Sequence, residues 1–258
     1  MSDEMTPRER VLRALALKEV DRPAVAGMTT AATTELMDYA GAAWPEVHRD
    51  AKLMTKLGLA AYPFFGLESA RVPYCLTYEA EALGCEVFLG KKNSTPMVKS
   101  NPYQDRIDED LVLPTREKIQ TLARNKAILD AAKAMKVGAG NQLPTILGVT
   151  GPFTIAGHLV GTENLLLWII TDPEKAHKIV KFAAEYEHMW LQEVEKLHLD
   201  MIQMSDPSAS YDMINPDWFN EFAAPYTKRA FEGLEDTKKV LHICGNMDGE
   251  LAGQNMSS

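Results

Sequence analysis

The sequence predicts an α/β protein built on a parallel sheet, of the (β/α)8 barrel type. Segments rich in β-formers alternate with amphipathic helical segments, the pattern of successive βα units. Three strand-like segments end in polar or small residues: Thr150 and Gly151, Asp206 and Ser208, His242 and Cys244. A barrel gathers its functional groups at such C-terminal strand ends. No G-x-G-x-x-G follows an early strand, which disfavours an open dinucleotide-binding sheet. About five of the eight strands are readable, so the barrel is expected to be incomplete at its C-terminus.

The elements follow in order. "TPRERVLRALALKE" is a helix with a Thr6 cap, Pro7 at its first position and Glu9 completing a capping box. "RPAVAGM" (Arg22–Met28) reads as the first strand. Helices are expected over Thr33–Tyr39 and Pro45–Leu57, with Gly41 and Gly58 as left-handed terminators. "AAYPFF" (Ala60–Phe65) reads as the second strand. Residues 71–98 are dense in Pro, Gly and β-formers, with "VPYCLTY" and "CEVFLG" as hairpin strands. They read as an excursion within one domain spanning 1–258. A broken helix fills Thr115–Lys136, and Leu143–Gly151 is the third strand. Helices then cover about Pro152–Leu159, Glu163–Ile170 and Pro173–Leu197, the last started by Asp172 and Pro173. Leu199–Ser208 is the fourth strand. A helix begins at Pro216 with Asn215 as cap and a kink near Pro225, and "KKVLHICGN" (Lys238–Asn246) is the fifth strand.

Composition narrows the function. The chain has 258 residues, 46% hydrophobic and 24% charged, the profile of a globular protein with enough chain to bury a core. A net charge of −9 argues against nucleic acid and anionic membrane surfaces as partners. No run approaches the roughly 20 apolar residues of a membrane span. The polar start "MSDEMTPRER" does not read as a secretory leader, so a cytoplasmic location is expected. Three cysteines, Cys75, Cys85 and Cys244, are an odd count that speaks for reduced thiols.

The sharpest chemical signal is His242 and Cys244. At a spacing of two on a strand both side chains face the same way. Imidazole nitrogen and thiolate suit zinc, which in catalytic sites usually takes three protein ligands and leaves one position open. The same pair also suits a buried strand end. Cys85, Cys75, Asp206 and Glu163 are candidates for a further ligand, and spacing selects none of them. "SDPSAS" followed by Tyr211 sets a carboxylate and hydroxyls just after a strand, where they bind a polar group or simply make a turn. "GVTGPF" presents backbone amides at a helix start, a place for an anion or an ordinary turn. A G-x-S-x-G nucleophile elbow is absent from the sequence.

Five stretches in this order and spacing carry a resemblance. They are "TPRERVLRALALKEVDRPAV", "VPYCLTYEAEALGCEV", "GVTGPFTIAGHLVGTENLLLWIITDPEKAH", "DMIQMSDPSASYDMINPDWFNEFAAPYTKR" and "LHICGN". Together they resemble the methylcobamide:coenzyme M methyltransferases of the uroporphyrinogen decarboxylase superfamily. The resemblance implies a (β/α)8 barrel with its site at the C-terminal mouth. It implies a Zn2+ ion on His242, Cys244 and a later cysteine that has no counterpart before Ser258, so the chain reads as C-terminally truncated. The implied reaction passes a methyl group from a methylated corrinoid protein, carrying methylcobamide, to a zinc-bound thiolate of coenzyme M (2-mercaptoethanesulfonate) in methanogenesis. Asp206, Ser208, Tyr211 and Asn246 stand where substrate contacts are expected.

A barrel lacking strands leaves open edges, and self-association through such an edge is expected. The alternative on the same fold is uroporphyrinogen decarboxylase. Its arginine-rich segment after the first strand has no match here, since no arginine lies between Arg22 and Arg49. A further alternative is a catalytically silent remnant that only binds a corrinoid protein.

Overall fold

The computed structural model describes residues 4–109 and 111–247. Helix α1 (Pro7–Leu15) is followed by α2 (Thr34–Ala40), α3 (Ala51–Phe65) and strand β1 (Ala70–Val72). The excursion contributes α4 (Tyr78–Ala82) and the short strands β2 (Val87–Phe88) and β3 (Met97–Val98). Then come α5 (Arg116–Ile119), α6 (Asn125–Ala139), β4 (Thr145–Thr150), α7 (Pro152–Val160), α8 (Thr162–Thr171) and α9 (Pro173–Glu195). Strand β5 (Met201–Ser205), α10 (Pro216–Trp218), α11 (Ala224–Ala230) and β6 (Lys238–His242) complete the described order.

The main sheet runs β1-β4-β5-β6 and is parallel throughout. Helices cross over between its neighbouring strands, so this is part of a (β/α)8 barrel wall. Strands β2 and β3 form a separate antiparallel hairpin. Among the described residues no single helix is long and apolar enough to cross a membrane.

Period-two alternation sorts the strands into two faces. Leu147 and Val149 of β4, with Ile202 and Met204 of β5, face outward into the main core. Ile146 and Met201 turn inward and meet Val11 of α1 and the flanking Ala26, Met28 and Val240. That small apolar plug closes the bottom of the sheet's inner face. Ionic ties hold α1 there. The buried Arg10 reaches Asp21 at 2.7 Å and also Glu68, while Arg8 meets Asp200, whose other oxygen accepts from Thr145 N at 2.9 Å.

Several expected elements take a different form. Arg22–Met28 is extended but is not a ladder strand. Its amides are taken by side chains instead: Val25 N donates to Glu68 Oε2 and Gly27 N to Ser69 Oγ, both at 2.9 Å. Ala60–Phe65 is the end of α3, not a strand. Asp50 caps that helix through the amides of Lys52 and Leu53, and good helix formers carry it past Pro63 to Gly66, at φ 75°. The first ladder strand is β1, Ala70–Val72, which follows that helix. The expected helix over Pro45–Leu57 is a 3-10 turn at Glu46–His48 before α3. Gly58 lies inside α3 rather than at its end. A Cβ there would stand 2.9 Å from Arg71 O, so glycine lets α3 seat on β1. "VPYCLTY" is not a hairpin strand: Val72 ends β1 and Tyr78 begins α4. The kink near Pro225 is a widened π turn over Phe219–Ala223, as expected where a proline withholds an amide.

The packing of α9 buries one carboxylate without a partner. Glu187 is fully buried and neither oxygen has a hydrogen-bond partner. Burial, with Glu79 as its charged neighbour, pushes its carboxyl well up. Glu79 itself, pushed up to about 7 by burial, accepts from Thr150 N at 2.7 Å and Thr150 Oγ1 at 2.8 Å. These groups hold their protons to higher pH when folded than when unfolded, where they release them near pH 4.5. Their contribution to stability is therefore full at low pH and is lost as pH rises through the folded values, to about 7 for Glu79. Glu187→Gln removes the proton dependence of one of them. The variant's melting temperature relative to wild type is expected to be higher at pH 8 than at pH 5, by roughly 3 °C or more. Thermal melts at the two pH values check this, and an equal offset at both would refute it.

Candidate active site

The C-terminal ends of β1, β4, β5 and β6 open into a cleft of about 650 Å³. One wall is the loop Thr29–Thr33, another is Arg71–Thr77, and Thr154, Ser205 and Ser208 form a third. His242 and Cys244 complete it.

The β5–β6 register places the pair. Ser205 lies opposite His242, and Asp206 N donates to His242 O at 3.0 Å, carrying the ladder one step beyond the strand. Cys244, two residues on, returns to the same face. His242 Nε2 and Cys244 Sγ are 2.8 Å apart. At that separation they can share one proton or one cation. Cys244 is exposed to the cleft. The chain then turns at Gly245, at φ 119°, where a Cβ would stand 2.5 Å from Asp212 Oδ2. No L side chain fits there, so glycine is needed for the turn that leaves the pair at the rim.

Of the four expected substrate-contact residues, Ser208 lines the cleft with His242 and Cys244. Asp206 turns away from it. It is buried and caps α7 from another strand, with Oδ1 accepting from Thr154 N at 2.8 Å and Thr154 Oγ1 at 2.6 Å. Oδ2 accepts from Phe153 N at 3.3 Å. Burial pushes its carboxyl up to about 6 against the pull of those donors. "GVTGPF" thus does present amides to an anion, and the anion is the chain's own Asp206. Gly151 makes room, since a Cβ there would lie 2.2 Å from the Asp206 carboxyl carbon. Tyr211 packs edge-on against Phe219 with its hydroxyl buried and without a hydrogen-bond partner. Tyr211 N donates to Asn246 O at 2.8 Å and Asn246 N donates to Asp212 Oδ2 at 2.8 Å. These two residues brace the loop after β5 against the turn after β6.

The candidate further ligands separate in space. Cys85 is buried under the hairpin, its thiol pushed up to about 12 by burial, 3.5 Å from His158 O. Glu163 lies in a different cleft, beside α8. Cys75 lines the same cleft as His242, but its sulfur accepts from Arg124 Nη1 at 3.0 Å. Among the described residues no three His, Cys, Asp or Glu side chains converge on one metal position. His242 and Cys244 match zinc in donor chemistry and supply two donors.

Two cleft residues escaped sequence reasoning. His158 faces the cleft from α7, and burial lowers its pKa and favours the neutral imidazole. Arg71 enters from β1. Its Nε donates to Met28 O at 3.1 Å, Nη1 to Thr30 Oγ1 at 3.1 Å and to Pro73 O at 2.5 Å, and Nη2 to Gln203 Oε1 at 2.8 Å. Gln203 Nε2 in turn donates to Ser205 Oγ at 2.8 Å.

A barrel wall with a cleft at the C-terminal strand ends has the layout of a barrel enzyme. Residues 6–255 match the family described as uroporphyrinogen decarboxylase (URO-D). The chain is 36% identical over 251 residues to a "Methylcobamide:CoM methyltransferase MtaA" of Methanosarcina barkeri, covering 96% of this chain and 72% of the relative. It is 33% identical to a "Methylcobamide:CoM methyltransferase MtbA" of Methanosarcina mazei, covering 96% and 73%. A solved "methyltransferase from Methanosarcina mazei" superposes with a TM-score of 0.87 at 34% identity, over 94% of this chain and 71% of that one. The chain therefore belongs to the URO-D family, on its methylcobamide:CoM methyltransferase branch.

Asp206 carries a stability prediction. Asp206→Ala leaves two buried amides and a hydroxyl at the start of α7 without their acceptor. A loss of about 2–4 kcal/mol is expected in urea unfolding, with a smaller loss for Asp206→Asn, which keeps one acceptor oxygen.

Proposed function

We propose that this chain transfers a methyl group from a methylated corrinoid, carried by a partner protein, to the thiol of coenzyme M, 2-mercaptoethanesulfonate, in methanogenesis. The names of its relatives support the reaction class. The observation that carries the reading is the His242–Cys244 pair, 2.8 Å apart at the rim of the strand-end cleft.

His242 and Cys244 would hold a zinc ion. Zinc bound there supplies positive charge that lowers a thiol's pKa, so that thiolate is available at neutral pH. The rest is transfer chemistry. The substrate thiol gives up its proton to solvent, and its sulfur forms a bond to the methyl carbon. The cobalt–carbon bond breaks, and the electron pair stays on cobalt, which goes from Co(III) to Co(I). Ser208 offers a hydroxyl beside the reacting end, and its amide, donating to Thr154 Oγ1 at 3.1 Å, fixes the loop that carries it. His158, held neutral, adds no competing cation to the cleft. The open mouth leaves room for a corrinoid to approach from solvent.

The test combines metal content with turnover. Wild-type protein is expected to bind close to one zinc per chain by elemental analysis and to demethylate free methylcobalamin in the presence of coenzyme M. Cys244→Ser and His242→Ala, folded by circular dichroism, are expected to lose most of the zinc and at least about 100-fold in rate. Full zinc in both variants, or a metal-loaded wild type that leaves methylcobalamin intact, would overturn the reading.

A further inference from the structure

Three arginines are buried by nine-tenths or more: Arg10, Arg71 and Arg124. Two of them are neutralised. Arg10 meets Asp21 and Glu68, and Arg124 meets Glu81. Arg71 is different. Its four hydrogen bonds go to two backbone carbonyls, a threonine hydroxyl and a glutamine amide oxygen, all neutral. One N–H of Nη2 remains beyond those four. The nearby carboxylate, Glu79, is occupied by Thr150. A guanidinium buried without a counter-charge is costly, and an anionic ligand is the natural way to offset that cost.

Its placement points the charge at the cleft. Arg71 rises from β1 and lies over Gly148 of β4, where a Cβ would come within 2.0 Å of Nη2. The absence of a side chain at Gly148 therefore opens the channel through which Arg71 reaches Gln203 of β5. Gln203 passes the contact on to Ser205, the register partner of His242. Arg71, Ser205, His242 and Cys244 all line one cleft. Its charged end, over β4, lies two strand spacings and one two-residue step along the sheet from its imidazole–thiol end on β6, on the order of 12 Å.

We propose that Arg71 is the anion anchor of the substrate site, binding the negatively charged tail of a short thiol whose sulfur is presented to His242 and Cys244. For the proposed reaction that tail is the sulfonate of coenzyme M, and the inference rests on that reading for the identity of the ligand. The anchor acts by its positive charge and by the one remaining N–H of Nη2, a charge-assisted donor to an oxyanion. It binds the tail alone and takes no part in bond making. Arg71 thereby discriminates 2-mercaptoethanesulfonate from a neutral thiol of the same length.

Two thiols and one thiol-free probe test this. Methyl transfer from methylcobalamin is measured with 2-mercaptoethanesulfonate and with 2-mercaptoethanol, for wild type, Arg71→Met and Arg71→Lys. Wild type is expected to prefer the sulfonate by about 10- to 100-fold in kcat/KM. Arg71→Met is expected to lose that preference through a KM rise confined to the sulfonate, with a much smaller loss of kcat/KM on 2-mercaptoethanol, and Arg71→Lys to recover part of the preference. Equal losses on both thiols, or no preference in wild type, would refute the anchor while leaving methyl transfer standing. Binding of ethanesulfonate, followed by calorimetry, reads the anchor without turnover. Binding in wild type and Arg71→Lys but not in folded Arg71→Met supports it even if no methyl transfer occurs. Failure of wild type to bind refutes it. If Arg71→Met does not fold, the wild-type preference between the two thiols and the Arg71→Lys data decide.

Discussion

The parallel pairing of β5 with β6 is the constraint on which the candidate site depends. Ser205 opposite His242 fixes which face of β6 looks into the cleft, and period-two alternation then places Cys244 on that same face. A slip of one residue would send His242 and Cys244 into the apolar layer under the helices and bring Leu241 and Ile243 to the cleft. Burial guards against that slip. Leu241 and Ile243 already pack against the main core. The apolar side chains that stabilise β6 and the polar ones that equip the cleft are interleaved, so the same register satisfies both.

The inner face of the sheet is layered in a way that explains where charge is tolerated. Its bottom layer is apolar, with Ile146 and Met201 meeting Val11 of α1. Above it, glycine at 148 removes a side chain and the Arg71 guanidinium takes the vacated space. The top layer carries Ser205 and His242. Polarity thus increases toward the C-terminal rim, where solvent and substrate enter. The buried carboxylates behave consistently with this gradient. Asp206 has three donors and serves the fold by anchoring α7, whereas Glu187 lies on the helix side with no donor at all. The first holds the loop that carries Ser208. The second costs stability, and nothing in its surroundings explains its retention.

Much of this was legible in the sequence, and the illegible part has a physical pattern. Helices whose starts are written in caps were readable: Thr6, Asp172 and Asn215 each accept from an amide of the first turn. The long strands β4, β5 and β6 were readable from their apolar runs. The three-residue β1 was not, because Ala-Arg-Val has no usable period and a charged residue at its centre. Its place was assigned instead to Ala60–Phe65, whose aromatic residues suit a strand but which continue a helix already nucleated at Asp50. His242 and Cys244 were readable because a spacing of two on a strand is a local signal. Arg71 was invisible because its meaning depends on Gln203, 132 residues away, and on an empty position at Gly148.

The cleft also explains why one cysteine there differs from another. Cys244 faces an imidazole with one nitrogen directed at its sulfur, a setting in which a soft cation can be shared between two donors. Cys75 faces Arg124, which donates to its sulfur while also holding Thr77 and Glu81. A metal at Cys75 would have to stand beside that guanidinium and displace its hydrogen bond, so like charges oppose it there. Arg124 is itself pinned by Glu81 and cannot withdraw without leaving a buried charge uncompensated. The two thiols of one cleft are therefore separated in role by their neighbours. His242 at the end of β6 and Cys244 just beyond it offer two donors to a soft cation, whereas the sulfur of the cysteine after β1 is held by Arg124.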